Sequence, residues 1–200
     1  MPDDTQLRSI VGGVLREALR MTDRAGIVIL DDGSPEAVLL SAWCAQEIGA
    51  RRTWRAGPNG AQDTEEGLRH RARVLARERR ALTANAANKT ALLLAAEPPC
   101  EPLLPLGDLY ATQVVALAGG WSAPPEVRHL VDQAGGIEAT DGALHAWFEE
   151  WRNAHQALKL LPASCRGPFL EAVSRGRFWR ERAGLIPKLS GRTIGIDLFA

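Results

Sequence analysis

The sequence predicts an α/β fold, a doubly wound and mostly parallel sheet flanked by helices, with a helical carboxyl-terminal part. Three observations lead there. Residues 5–21 place Leu7, Ile10, Val11, Val14, Leu15, Ala18 and Leu19 at helical spacing, the pattern of an amphipathic helix. Gly26-Ile27-Val28-Ile29-Leu30 follows as an uninterrupted apolar run. A strand apolar on both sides suits the centre of a parallel sheet covered on both faces. Asp31-Asp32-Gly33 closes that run, and Ser34-Pro35-Glu36 reads as a helix start, with serine as the cap and proline in the first turn. Helix, strand, tight turn and helix open a fold whose ligands sit outside the carboxyl ends of the strands. Residues 31–34 therefore stand where a phosphate loop would be.

The remaining elements follow in order. The helix begun at Pro35 is expected to reach Ile48 and stop at Gly49. Residues 56–66 are loop-like, and a helix from Thr64 to Arg80 comes next. Thr83 to Asn88 reads as a weak strand or turn, Lys89 to Ala96 as a short helix, and Pro98-Pro99 as a break. Leu103 to Leu106 leads into a helix from Asp108 to Ala118. Gly119-Gly120, Pro124-Pro125 and Gly135-Gly136 predict turns and short helices across residues 119–136. A helix resumes near Asp141 and carries Leu144, Trp147, Phe148 and Trp151, and the tail beyond Gly184 is extended.

Bulk properties exclude several functions. Lys plus Arg and Asp plus Glu each total 24, so net charge argues for no nucleic-acid or membrane partner. The run from Arg69 to Arg80 reads as the solvated face of a helix rather than a phosphate or RNA site. Cys44, Cys100 and Cys165 lack metal-ligand spacing and a CxxC pair, so neither a zinc site nor a disulfide framework is indicated. The acidic start lacks the apolar region of a signal peptide, no apolar run approaches a membrane span, and the expected location is cytoplasmic. His70, His129, His145 and His155 lie in predicted helices, none beside a serine or cysteine in a nucleophile motif. Trp147 and Trp151 share a helical face, which suits core packing first and an oligomer interface second.

A family resemblance rests on four segments. Pro105-Leu106-Gly107-Asp108-Leu109-Tyr110-Ala111-Thr112-Gln113-Val114 closely resembles the stretch of NAD synthetases that opens the helix after the substrate loops. Asn88-Lys89-Thr90 resembles that family's Asn-Lys-Ser motif, and Arg71-Ala72-Arg73 its arginine-containing helix start. Pro187 to Asp197 is similar to the terminal segment of the glutamine-dependent branch. The blocks 8–49, 67–118 and 173–199 keep the family's order. The resemblance implies the adenine nucleotide alpha hydrolase-like fold of the N-type ATP pyrophosphatases, as a shortened single domain over residues 1–200 without a glutaminase domain. It also implies a homodimer, and a reaction in which ATP adenylates deamido-NAD before ammonia displaces AMP.

The departures fall on the chemistry. The family's Ser-Gly-Gly-x-Asp-Ser loop, which turns backbone N–H groups toward pyrophosphate, reads here Asp31-Asp32-Gly33-Ser34-Pro35-Glu36. Sliding the register by one puts Glu36 on the loop aspartate but leaves Asp32 on the leading serine. A glutamate that helps hold Mg²⁺ is Ala91, and the lysine of the Leu-Tyr-Lys-Thr-Gln run is Ala111. The glycine-rich substrate stretch is replaced by Glu97-Pro98-Pro99-Cys100, and a Lys-Arg pair by Trp179-Arg180 or Arg180-Glu181. The expectation is an NAD synthetase-like pseudoenzyme with a structural, regulatory or partner-binding role, an active NAD synthetase relative being the candidate partner. The alternative is an adenine-nucleotide-binding enzyme or sensor with a changed substrate. For it, Gly33, Ser34, Asn88, Lys89 and Thr90 are the residual nucleotide-site candidates, with ATP or another adenine nucleotide as ligand and Mg²⁺ not expected. No catalytic residue and no metal ligand is assigned.

Overall fold

The apolar run at residues 27–30 is buried on both faces and forms the middle of a parallel sheet, as its composition predicts. The computed structural model describes residues 4–58, 64–96, 101–150, 153–180 and 185–186. In chain order the elements are α1 (Asp4–Thr22), β1 (Ile27–Leu30), α2 (Pro35–Cys44), β2 (Thr53–Ala56), α3 (Glu65–Arg79), β3 (Leu82–Ala84), α4 (Lys89–Leu94), α5 (Ala111–Ala118), α6 (Pro125–Ala134), α7 (Ile137–Phe148), α8 (Ala154–Leu158) and α9 (Arg166–Arg180).

The strand order is β2-β1-β3, all parallel. Alternate residues of β1 feed different cores. Ile27 and Ile29 pack with Leu7, Val11 and Leu15 of α1 and Leu40 of α2. Val28 and Leu30 pack with Leu68, Ala72 and Ala76 of α3. The crossover from β1 to β2 thus covers one face, and the crossover to β3 covers the other. The chain leaves β1 toward one neighbour and returns to the opposite side, so the loops after β1 and β3 diverge and leave a crevice between them. Beyond β3, Leu103 bridges Ala84 and Leu185 bridges Leu103, both in parallel, which carries the sheet outward by single residue pairs. The helices from α4 onward enclose a separate core that includes Leu93, Val131, Leu144 and Phe169.

Several boundaries differ from the sequence-based expectation. No strand was expected at Thr53–Ala56, where β2 forms the sheet edge with Arg55 exposed. Regular α-helix in α2 ends at Cys44 and continues as a wider turn over Ala45–Gly49, and Gly49 ends it at φ +95°. Helix α5 begins at Ala111 rather than Asp108, and the Leu109 carbonyl accepts the Lys89 N–H at 2.7 Å instead of starting the helical ladder. The N–H of Tyr110 donates to Gln113 Oε1 at 2.8 Å. Residues 119–136 hold the expected turns and a short helix, α6, while α7 starts at Ile137 rather than Asp141. Trp151, residues 97–100 and residues 187–197 lie outside the described residues. Among the described residues no helix is long and apolar enough to cross a membrane. Most of the apolar stripe of α1 is buried inside the chain's own core, with Ile10 left exposed.

The close packing of β1 on β2 has a direct test at Gly26. A Cβ there would stand 2.1 Å from the Arg52 carbonyl oxygen and 2.6 Å from the Trp54 ring. Backbone cannot give as a flexible side chain can, so Gly26→Ala is expected to lower stability by about 1–3 kcal/mol, the size of an overpacking defect. Urea denaturation reads it. An unchanged midpoint would show that the edge strand moves freely away.

Candidate functional site

At the carboxyl end of β1 the chain supplies its own anions. Asp31 is buried, and its carboxylate pairs with the Arg55 guanidinium from β2. Asp31 Oδ1 also accepts the Gly33 N–H at 3.1 Å, and Asp32 Oδ1 accepts the Ser34 N–H at 3.0 Å. Short acidic side chains bond readily to backbone two residues on. Gly33 has φ +82° with open space where a Cβ would stand, so glycine is there for the turn and not for a close approach. Ser34 Oγ caps α2 by accepting the Ala37 N–H at 3.2 Å. The N–H groups that would greet a phosphate at this helix start are given to Asp31 and Asp32.

The loop after β3 behaves similarly. Asn85 Oδ1 accepts the Ala87 N–H at 2.8 Å, and Asn88 Oδ1 caps α4 through the Ala91 N–H at 3.1 Å. Lys89 turns away from the crevice and is only 1% exposed. Its ammonium lies 2.8 Å from Asp108 Oδ1, 3.0 Å from Glu149 Oε1 and 4.7 Å from the centre of the Tyr110 ring. Thr90 Oγ1 donates to Asp141 Oδ1 at 2.6 Å and accepts the Ala111 N–H at 2.9 Å. Asp141 Oδ2 accepts the Thr112 N–H at 2.8 Å. Burial pushes the Asp141 carboxyl up, and its bonds from Thr90 and Thr112 counter this.

Between the two loops lies a cleft of about 640 Å³. Ser34 and Asn88 line it, with Gly33 in the turn beside Ser34; Lys89 and Thr90 do not. Among the described residues, Asp32, Glu36, Glu65 and Glu126 bring carboxylates to its wall, and Arg69 is the one cation there. Arg69 is itself held by Glu65 at 2.7 Å and by Glu101 at 3.6 Å. Glu36, in the first turn of α2, is 3% exposed. Its Oε1 accepts the Ser122 N–H at 2.6 Å, while Oε2 has no hydrogen-bond partner. Burial pushes the Glu36 carboxyl up; the Ser122 bond opposes this and the charge of Asp32 adds to it.

The residues do not fit a magnesium nucleotide. The loop N–H groups are occupied, Ala91 offers the cleft no oxygen, and Glu36 is tied to Ser122. Among the described residues, no group of three or more His, Cys, Asp or Glu could hold a metal ion. Sequence reading gave Glu36 only as part of a helix start and as an alternative register for the loop aspartate. It gave Arg69 only as part of a solvated face, and it missed Glu126. The signal available for Glu36 was a glutamate one turn beyond a strand-end loop; Glu126 had none, because α6 reaches the cleft only through tertiary packing.

No family model matches the chain, and no curated protein matches it. Among solved structures it is similar to the NH3-dependent NAD synthetase from Campylobacter jejuni subsp. jejuni NCTC 11168, in complex with the nitrate ion. The TM-score is 0.64 over 90% of this chain and 96% of that one, at 14% identity. It also aligns with the glutamine-dependent NAD+ synthetase from Acinetobacter baumannii in complex with adenosine diphosphate, at TM-score 0.47 and 14% identity, over 98% of this chain and 48% of that one. The first likeness shows the fold: a three-stranded parallel sheet flanked by helices, arranged as in that NAD synthetase.

Two substitutions separate framework from cleft. Lys89→Met leaves two carboxylates buried together without the ammonium between them, and it is expected to cost about 3–5 kcal/mol. A chemical-denaturation midpoint within error of the parent would show that the ion cluster is not holding α4. Glu36→Gln should do the opposite. A carboxyl whose folded-state pKa is raised binds its proton more tightly folded than unfolded. It therefore subtracts stability as pH rises from its ordinary value of 4.5 through the folded value, and the deficit then stays constant. The amide is expected to melt higher at pH 7, with the gain vanishing below that ordinary value; a gain independent of pH would exclude this cause.

Proposed function

We propose that this chain is a non-catalytic protein on the NAD synthetase fold, one that no longer holds ATP and acts through the partners it contacts. The supporting observation is the loop after β1, where Asp31 and Asp32 take the N–H groups of Gly33 and Ser34. A phosphate brought to this loop would lose those donors and meet the charge of Asp32. Two like charges about 4 Å apart repel by about 4 kcal/mol at a near-surface dielectric, roughly a thousandfold in affinity. Among the described residues the cations near the loop are already engaged: Arg55 by Asp31, and Lys89 by Asp108 and Glu149. The proposed contacts are with a second copy of the chain or with an active NAD synthetase. Ile10 and Met21 on α1 and Val38 on α2 are exposed apolar side chains available for them.

A second reading, binding of a changed ligand, is favoured by the cleft itself, which stays open at the strand ends although its phosphate loop is closed.

The assay combines deamido-NAD, ATP, Mg²⁺ and ammonium, and no NAD is expected; ammonium-dependent NAD formation would overturn the proposal. Calorimetry should likewise show no heat with millimolar ATP. Asp31→Ser combined with Asp32→Gly reopens the loop and is expected to gain measurable ATP affinity over the parent chain.

A further inference from the structure

We propose that the strand-end cleft binds a small organic cation, an amine or guanidinium compound with a short apolar body, whose cationic end meets Glu36 and Asp32. The proposal rests on the reading that this cleft has ceased to hold polyphosphate.

Glu36 carries the argument. Glu36 Oε2 has no partner within hydrogen-bond reach in a residue 3% exposed; the Ser34 hydroxyl and the residue's own N–H ease its burial only in part, and native structures rarely keep such an oxygen without a reason. Here the neighbouring oxygen is fixed by the Ser122 N–H at 2.6 Å, so the side chain cannot turn both oxygens outward. Glu36 lines the cleft, and a donor arriving there would complete it.

The charged groups on every wall decide the sign of that donor. Asp32 comes from the loop after β1, Glu36 from α2, Glu65 and Arg69 from α3, and Glu126 from α6. Arg69 is matched by Glu65 and Glu101. Among the described residues what remains is negative, in a concavity whose low-dielectric walls focus the field on a bound cation. The same walls include Leu30, Leu68, Ala95 and Pro124, a surface for a methylene chain. A volume of about 640 Å³ sits within the usual range for small-ligand sites. Carboxylates pair with guanidinium or ammonium through short charge-assisted hydrogen bonds. Burial holds the Glu36 carboxyl above its ordinary range and a cation binds its charged form, so affinity should rise as pH rises through that raised value.

The test uses the full chain with agmatine and putrescine as probes and ATP as the anionic counter-probe, read by calorimetry and by thermal shift. Agmatine is expected to bind saturably, more tightly at pH 8 than at pH 5. Glu36→Gln, checked for folding by circular dichroism, should lose at least about tenfold in affinity, the size of one charge-assisted bond. Glu78→Gln, on the exposed part of α3 away from the cleft, should lose none. Absence of saturable agmatine binding below about ten millimolar, the range of weak non-specific association, would overturn the proposal. So would undiminished binding by Glu36→Gln, or equal loss in Glu78→Gln, which would mean counter-ion association with the surface. ATP binding by the parent chain would instead overturn the non-catalytic reading; silence from both agmatine and ATP would overturn only the cation.

Discussion

The ammonium of Lys89, buried between Asp108 and Glu149, is the contact on which the rest of the structure turns. It stands at the first residue of α4, where the sheet passes into the carboxyl-terminal helices. Its own N–H donates to the Leu109 carbonyl at 2.7 Å, so backbone and side chain of one residue both hold the segment before α5. Thr90 extends the clasp to Ala111 and to Asp141 of α7. An isolated buried lysine would be prohibitively costly, and a buried pair is often no better than well-packed apolar groups. What such a cluster does supply is uniqueness of geometry: three charges and an aromatic face satisfy one another in one relative placement of α4, α5 and α7.

That placement joins the stretches in which the resemblance can be read. Asn88-Lys89-Thr90 and Asp108-Leu109-Tyr110 are the stretches that read as family motifs, and in the fold they bond to one another. The departures at Asp32 and Ala91 lie on the cleft wall. The division is not complete, since Asn88 of the first stretch also lines the cleft and Ala111, another departure, lies in the buried clasp.

Other parts were legible for local reasons, or illegible for tertiary ones. β1 could be read because four apolar residues buried on both faces leave an unbroken run. β2 could not, since Thr53-Trp54-Arg55-Ala56 is short, sits at an edge and mixes polar with apolar positions. Arg55 gains its meaning only beside Asp31, from a different strand. The side to which Lys89 points was equally hidden, because every residue of α4 is buried and no polar face distinguishes cleft from core. Ser34 and Asn88 were visible as helix caps at strand ends, and capping is what their side chains do. The acidic character of the cleft required knowing that Glu126 of α6 comes to stand opposite Asp32 and Glu36, and no local pattern encodes that.

The single-residue bridges beyond β3 bear on how this chain is made. Leu104 donates its N–H to the Leu185 carbonyl at 2.9 Å, and Leu185 donates to the Pro102 carbonyl at 2.8 Å. A ribosome delivers the amino-terminal side first, so the sheet can assemble outward to Leu103 long before Leu185 leaves the exit tunnel. Throughout that interval the row of backbone groups at residues 102–104 has no strand beside it, and an open edge of this kind pairs with whatever extended chain is nearby. The nascent protein is therefore most exposed to mispairing while its later helices are being translated. Pairing with Leu185 then occupies the backbone groups of Pro102 and Leu104.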